Sequence, residues 1–152
     1  MATNRSVGDD KRAALDVFVG EWAEQVLIPE APVGRLVCER ALGGQYLIQR
    51  AETPQPEFPD GIMIIAYDED TDAYTQHYFD SRGVVRLYKM DLRDGVWTLR
   101  RAAPDFSPLD FWQRFEGIFS DDGDRIDARW ETSHDNGEHW ELDFGLTYTR
   151  VK

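Results

Sequence analysis

This sequence of 152 residues contains little cysteine, little positive charge and no long apolar run. Its single cysteine, Cys38, excludes an internal disulfide and suits a reducing compartment, so we expect a cytoplasmic protein. The 17 Lys and Arg against 29 Asp and Glu give a net charge of −12. Because nucleic acids and anionic membranes are bound through basic surfaces, we expect neither as a partner. The sequence also predicts no membrane-spanning helix and no secretory signal.

The length of the chain indicates one domain. A chain of this size buries roughly 68–70% of its unfolded surface, which is enough to fold without a disulfide or a metal. No composition break, internal repeat or low-complexity tract divides it. We therefore predict a single domain over residues 1–152, with a flexible segment at 1–8.

One short segment near the N-terminus has helical spacing. Leu15, Phe18 and Val19 recur at helical intervals just before Gly20, and an Asp at the start can cap the first turn. Glycine is common immediately after a helix because it adopts the left-handed conformation easily. This pattern predicts a helix over about residues 9–19.

From Trp22 onward the apolar period changes to two, which is typical of β-strands. Ten runs rich in β-branched and aromatic residues follow: 22–28, 34–42, 45–52, 61–68, 73–80, 84–92, 96–102, 111–120, 125–133 and 138–151. The pairs Asp-Gly at 94–95, Asp-Gly at 122–123 and Asn-Gly at 136–137 favour type I′ hairpin turns, in which both central residues need positive φ. Short connections join antiparallel neighbours.

With this many strands and no second helix to cover a face, closure into a barrel removes the exposed edges. We therefore predict an all-β, antiparallel up-and-down β-barrel of about ten strands with a short N-terminal α-helix. Alternation predicts an apolar inner face and a charged outer one. In the last strand the predicted inner face comprises Trp140, Leu142, Phe144, Leu146 and Tyr148.

Several short motifs resemble those of known barrels. The residues at 18–22 (Phe-Val-Gly-Glu-Trp) resemble the Gly-X-Trp signature of the calycins, which include lipocalins and fatty-acid-binding proteins. The segments 42–47, 65–68 and 78–83 and the late Trp-Glu at 130–131 resemble a bacterial lipocalin-like family of unknown function, DUF1579. The resemblance extends from about residue 15 to the C-terminus. It implies a calycin-like barrel and says little about function.

The nitrobindins, which are haem-binding relatives with an extended Gly-X-Trp motif, are a more distant resemblance. Their motif continues with further glycines and a late histidine holds the iron, but here Ala23 follows Trp22. His139 has the parity of the outer face, and His134 lies beside the Asn-Gly turn. We therefore expect no haem and no other cofactor.

Metal-binding patterns are incomplete. Asp68, Asp70 and Asp72 resemble the start of a calcium loop, but Ala73 and Phe79 stand where such a loop needs Gly and Glu. The three histidines lack zinc spacing, and no Gly-X-Ser-X-Gly nucleophile motif is present. We expect no metal site.

Polar residues that alternation turns toward the interior are the candidates for function. Glu24 shares the parity of Trp22 and Val26. An inward Arg86 would need an anionic ligand or a carboxylate such as Glu24, because an unpaired buried Arg is costly. Alternatively, Arg86 points outward and pairs with the acidic surface, since one β-bulge reverses the parity.

Three hypotheses for function remain open. The first is binding of a small, largely apolar molecule, aromatic or acyl, through Trp22, Glu24, His77, Arg86, Tyr88, Gln113, Phe115, Trp130 and Phe144. The second is a cofactor-independent cyclase, isomerase or decarboxylase, with His77, Glu24 and Tyr88 as the candidate catalytic residues. The third is an interaction barrel that forms a homodimer. The five Trp residues either fill the core or line a cavity.

Acidic residues are concentrated in one stretch. Residues 51–81 contain many Asp and Glu and no Lys or Arg. Most of these acidic residues lie in predicted turns, which predicts an acidic rim. Such a rim favours neutral or cationic ligands over anionic ones.

Overall fold

A computed structural model of the chain describes residues 6–104 and 109–151. It confirms a closed barrel of ten antiparallel strands, each paired with its neighbour in sequence, with the first strand also paired with the last. The elements are α1 (Val7–Ala13), a 3₁₀ helix (Ala14–Phe18), β1 (Gly20–Val26), β2 (Val33–Ala41), β3 (Tyr46–Glu52), β4 (Gly61–Asp68), β5 (Ala73–Asp80), β6 (Val85–Arg93), β7 (Val96–Arg101), β8 (Trp112–Phe119), β9 (Arg125–Ser133) and β10 (Glu141–Arg150).

The N-terminal helix begins earlier than the sequence pattern predicts. Ser6 is its N-cap: the Ser6 Oγ accepts a hydrogen bond from the Asp9 backbone N–H at 3.0 Å, and the Asp9 carboxylate accepts one from the Ser6 N–H. Asp9 is thus the third helical residue of a capping box and not the cap itself. The α-helix includes Val7 and Gly8, where we expected a flexible segment, and the last turn tightens to 3₁₀ before an extended Val19.

The strand predictions differ most from the structure at β10. This strand begins at Glu141 instead of residue 138, and its register with β9 shifts between Leu142 and Phe144. A shift of one position reverses which side chains face inward. Leu142 is therefore exposed, and Trp140 precedes the strand. The expected inner face of this strand is correct only from Phe144 onward.

The hairpin dipeptides also differ among themselves. Asp94 and Gly95 both have positive φ (55° and 76°), as a type I′ turn requires. At 122–123 only Gly123 has positive φ, so that prediction is wrong. Asn136 and Gly137 both have positive φ but lie inside the longer connection 134–140.

The helical segment closes one end of the barrel. Leu15 and Phe18 are buried, and the Phe18 ring packs edge-on against Trp97 and Phe119, with centroids 4.9 and 5.4 Å away. The Trp22 Nε1–H donates to the Phe18 carbonyl at 2.9 Å. Arg150 lies over the Trp22 ring at 4.2 Å. These contacts form a closed end of packed aromatic rings.

The opposite end of the barrel, which we call the mouth, carries the longer connections. In an up-and-down barrel, alternate connections lie at the same end. The mouth connections are therefore 27–32, 53–60, 81–84, 102–111 and 134–140, of which residues 105–108 lie outside the described part of the chain. The helical segment contacts the other end, where the Arg12 Nη1 is 3.1 Å from the Glu69 Oε1.

Across the described residues, no helix is both long and apolar enough to cross a membrane.

Replacing Phe18 with Ala tests the role of the helical segment. Removing a ring buried to 1% exposure should lower the free energy of unfolding by about 3–5 kcal/mol, through lost burial and the cavity left behind. The measurement is urea unfolding followed by circular dichroism. Val17→Ala, at a position 42% exposed on the same segment, is the control and should change stability by no more than about 0.5 kcal/mol. Equal effects of the two variants would show that the helical segment is not part of the core.

Candidate ligand-binding cavity

A cavity of about 320 Å³ occupies the mouth half of the barrel interior. Its wall combines aromatic and aliphatic side chains with a few polar groups. The lining residues are Glu24, Val26, Ile28, Ala51, Thr53, Phe58, Pro59, Gly61, Met63, Gln76, Tyr78, Arg82, Trp97, Leu99, Phe115, Trp130, Phe144, Leu146 and Tyr148. Two larger hollows, of about 370 and 430 Å³, lie on the surface of the molecule, one along the outer wall and one beside the helical segment.

The cavity exists because small residues on one wall face large aromatic residues on the other. Ala51 and Gly61 are direct partners between β3 and β4, and both line the cavity. The aromatic wall is tightly packed within itself, with the Trp97 and Phe115 centroids 4.6 Å apart and the Phe115 and Trp130 centroids 5.0 Å apart. The interior therefore divides into packed rings at the closed end and open space at the mouth. Trp22 fills the closed end, whereas Trp97 and Trp130 line the cavity, so each expectation for the Trp residues applies to part of the set.

Glu24 is an interior carboxyl without a partner. It is paired in register with Tyr148 of β10 on one side and with Gly34 of β2 on the other. Burial raises the pKa of Glu24 from its usual 4.5 to about 7. In the described part of the chain, no basic group forms an ion pair with this carboxyl and no group donates a hydrogen bond to it. The site can therefore hold or release a proton near neutral pH.

The other titratable groups near Glu24 are neutral. Burial and the negative charge of Glu24 hold the pKa of Tyr148 well above its usual value. Burial raises the pKa of Cys38, on the neighbouring strand β2, to about 12. The thiol is protonated at neutral pH, so Cys38 is not an activated nucleophile.

Two further polar atoms in the cavity wall have no partner. The Gln76 Oε1 and the Trp97 Nε1 form no hydrogen bond with any described residue, although the two residues are only 3% and 2% exposed. A buried polar atom without a partner costs about 1–3 kcal/mol. Both residues line the cavity, but these two atoms are themselves covered by neighbouring groups.

Among the described residues, Arg82 is the one basic side chain that lines the cavity, and it lies at the mouth. Its Nη2 is 2.6 Å from the Asp80 Oδ2, which also accepts a hydrogen bond from the Tyr78 hydroxyl at 2.7 Å. Burial opposes ionisation of Asp80, but the hydrogen bonds from Arg82 and Tyr78 outweigh it and lower the pKa to about 2. Asp80 is therefore ionised and neutralises the charge of Arg82.

The structure places the predicted site residues in three groups. Glu24, Phe115, Trp130 and Phe144 line the cavity together. Trp22 does not, because it is fully buried at the closed end, where its indole nitrogen is bound to the Phe18 carbonyl.

Arg86, Tyr88 and Gln113 form a second group, which is hydrogen-bonded within itself. The Arg86 Nη1 and the Tyr88 hydroxyl each donate to the Gln113 Oε1 at 3.1 Å. Arg86 also lies 5.6 Å from the centre of the Phe111 ring. Arg86 therefore takes neither expected position: it is half-buried, and its partner is Gln113 instead of Glu24. The three residues lie beside the cavity and do not line it.

His77 lies on the other face of its strand, and the expectation that it contacts a ligand is corrected. The inner face of β5 carries Tyr74, Gln76 and Tyr78, of which the last two line the cavity. His77 alternates with them and pairs with Ile64 and Leu87 on the outer wall. Strand register thus separates His77 from Glu24 and excludes it as an acid or base in the cavity.

Sequence reasoning missed several cavity residues. Gln76, Trp97 and Tyr148 line the cavity but were absent from the predicted set. The signal for Gln76 was present, because it lies between two tyrosines of the same parity. Both faces of β5 mix aromatic and polar residues, however, and this mixture hid which face is the inner one.

Two of the five Trp residues lie on the outside. Trp112 lies under Arg100, whose guanidinium is 5.5 Å from the ring centre, and Trp140 lies under Arg114 at 4.1 Å. Such cation–π contacts shield an exposed ring. Trp112 and Trp140 therefore belong neither to the core nor to the cavity.

Among the described residues, one group of three side chains could hold a metal ion: Asp135, Glu138 and His139, in the connection 134–140. Asp135 is already occupied, because its carboxylate accepts hydrogen bonds from the His139 backbone N–H at 2.8 Å and from the Ser133 hydroxyl at 2.8 Å. These and its contact with the His139 ring lower the pKa of Asp135 to about 2. The group lies on the surface, away from the residues that line the cavity.

The outer wall of β4 and β5 has exposed apolar side chains. Ile62 and Phe79 are direct partners across the two strands, and both are exposed. The homodimer hypothesis concerns this face and stays a prediction.

No model of a known protein family matches this chain, and no curated protein matches it. The closed ten-stranded antiparallel barrel with a short N-terminal helix is compatible with a calycin-like fold.

Replacing Glu24 with Gln tests the burial of the carboxyl. Because the folded protein binds the Glu24 proton more tightly than the unfolded chain does, the contribution of this residue to stability is full below pH 4.5 and is lost as the pH rises to about 7. Glu24→Gln should therefore be more stable than the parent at pH 8, by up to about 3 kcal/mol, and similar to it at pH 4. The measurement is the free energy of unfolding in urea at a series of pH values.

Glu141→Gln, at an exposed position, is the matched control and should show no such difference. A Glu24→Gln variant whose stability relative to the parent does not change between pH 4 and pH 8 would contradict a buried carboxyl at this position.

Proposed function

We propose that this protein is an intracellular binding protein for a small, largely apolar molecule, which it holds in the mouth half of the barrel. The supporting observation is the cavity of about 320 Å³, whose largely apolar wall includes the Glu24 carboxyl, which has no partner among the described residues. Ligand sites are characteristically apolar cavities with a small number of placed polar groups. The buried, free Cys38 supports the intracellular location.

The division of the interior supports binding over simple structural filling. Aromatic rings at the closed end make the core, and Ala51 and Gly61 leave space at the other end. A Cβ added at Gly61 would meet its nearest neighbours at 3.4 Å and beyond, so the wall tolerates a larger residue that would fill part of the cavity.

We also propose that the chain belongs to the calycin barrels, in the DUF1579-like group. The supporting observations are the Gly-Glu-Trp at the start of β1, directly after the helical segment, and the order of the other resembling segments along the barrel. The hydrogen bond from Trp22 to the end of the 3₁₀ helix gives this motif a structural role.

A second candidate function is catalysis without a cofactor, and the state of Glu24 favours it. A general acid or base is most effective when its pKa is close to the working pH, and that of Glu24 is about 7. In this reading Glu24 moves a proton of the bound molecule inside a site that excludes water. Tyr88 and His77 take no part, because one is bound to Gln113 and the other lies outside.

Filling the cavity tests the binding function. The parent protein should bind N-phenyl-1-naphthylamine, a neutral apolar dye, in a one-to-one complex with increased dye fluorescence. Ala51→Leu places a larger side chain in the cavity wall and should weaken binding by at least about tenfold, or 1.4 kcal/mol. Fluorescence titration and a melting curve on each variant measure binding and folding separately.

Ala73→Leu, at an exposed position at the start of β5, is the matched control and should bind the dye as the parent does. The proposal fails if the parent does not bind the dye, or if folded Ala51→Leu binds it unchanged.

Native mass spectrometry of the protein purified from its source separates binding from catalysis. A binding protein should release a retained molecule that has the same mass after prolonged incubation. An enzyme should convert it to a product of different mass or different chromatographic mobility, and Glu24→Gln should abolish that conversion.

A further inference from the structure

The cavity contains the Glu24 carboxyl, which has no counter-ion among the described residues, and aromatic side chains line the same cavity. We propose that the ligand is an organic cation: an aromatic or acyl body that carries one protonated amine, held by the Glu24 carboxylate. This inference rests on the proposed binding function, which it deepens by assigning the charge of the ligand.

The groups that face Glu24 leave it without positive charge. On the neighbouring strands β2 and β10 the inward side chains nearest in register are Leu36, Cys38, Leu146 and Tyr148, and across the barrel Gln76 and Tyr78 line the same cavity. All of them are uncharged at neutral pH. The positive charge that Glu24 lacks can therefore come from a ligand.

The arginines that point toward the interior have neighbours other than Glu24. Arg82 is neutralised by Asp80 at the mouth. Arg86 is bound to Gln113, and the buried Arg101 is the register partner of Gln113 on β7 and does not line the cavity. Arg150 lies at the closed end, 3.0 Å from the Asp124 carboxylate. An anionic ligand would thus meet an unneutralised carboxylate and no free cation in the described wall.

The rest of the wall suits an ammonium group attached to an apolar body. The ring faces of Trp, Tyr and Phe attract cations, most strongly where water is excluded. Trp97, Phe115, Trp130, Phe144 and Tyr148 all line the cavity. The wall thus combines one carboxyl group with several aromatic side chains.

The charge of the mouth connections also favours a cationic ligand. Its described connections contain one arginine, Arg82, against six acidic residues: Glu30, Glu57, Asp60, Asp110, Asp135 and Glu138. An entrance lined with one sign of charge raises the local concentration of ligands of the opposite sign. A cationic ligand is therefore attracted at the entrance as well as inside the cavity.

The proposal predicts that the affinity for the ligand depends on pH, because the ligand binds the ionised form of Glu24. In the empty protein the pKa of Glu24 is about 7, so the carboxyl is largely protonated at pH 6 and largely ionised at pH 8. An ammonium ion binds the ionised form. Its affinity should therefore rise by about tenfold from pH 6 to pH 8, while the amine itself stays protonated. A neutral ligand of the same shape should not gain affinity over this range.

The test uses three probes that share one body: 2-(1-naphthyl)ethylamine, 2-(1-naphthyl)ethanol and 1-naphthylacetate. Each displaces N-phenyl-1-naphthylamine from the full-length protein, and calorimetry in two buffers of different ionisation enthalpy reports the proton released. At pH 8 the amine should bind at least tenfold more tightly than the alcohol, and the acetate most weakly. Glu24→Gln should remove the advantage of the amine over the alcohol, so that the ratio of their affinities falls from at least tenfold to about one, and Glu141→Gln should leave this ratio as in the parent.

The outcomes distinguish this inference from the proposed function. If the dye and the alcohol bind but the amine has no advantage, or if the acetate binds best, the inference is overturned and the binding function stands. If neither the dye nor any probe binds, both fail. If Glu24→Gln does not fold, measurements on the parent protein still test the inference. The inference is overturned if the affinity of the parent for the amine does not rise from pH 6 to pH 8 and no proton is released on binding below pH 7.

Discussion

The pairing of the first strand with the last is the constraint on which the rest of this structure depends. Residues 22–26 of β1 bond to residues 146–150 of β10 and close the sheet into a barrel. Closure removes both exposed edges and creates an enclosed interior. It also brings Glu24 next to Tyr148 and Trp22 next to Arg150, pairs that are more than a hundred positions apart along the chain. Without this pairing, Glu24 would be a solvated carboxyl on an edge strand.

The enclosed space has two physically different halves. At the closed end the 3₁₀ helix inserts Phe18 among Trp97 and Phe119, so this half has the packing density expected of a core. At the mouth the direct pair of Ala51 and Gly61 leaves a volume that no side chain fills. The aromatic residues therefore have two roles. They stabilise the fold at one end and line the cavity at the other.

Charged groups are also distributed differently at the surface and in the interior. The net charge of −12 is carried mainly by turns and by the outer wall, where acidic side chains pair with arginines such as Arg35 and Arg114. Inside the barrel the arginines are each held by a neighbouring group, whereas Glu24 is held by none in the described part of the chain. This asymmetry leaves Glu24 as an ionisable group of the cavity wall whose pKa is about 7.

The barrel, its order of strands and most of its inner face can be predicted from the amino-acid sequence, because they follow from local rules. The alternation of apolar and polar residues in β9 and the short connections between strands need no knowledge of distant contacts. They sufficed to identify Glu24, Phe115, Trp130 and Phe144 as interior residues. Only the tertiary structure decided which face of β5 points inward, since Gln76 and His77 both have aromatic neighbours of their own parity. It also decided that Arg86 binds Gln113 and leaves Glu24 alone, and that the space lies at the mouth. Those properties depend on register and on packing across the barrel, where the interacting residues belong to strands far apart in the chain.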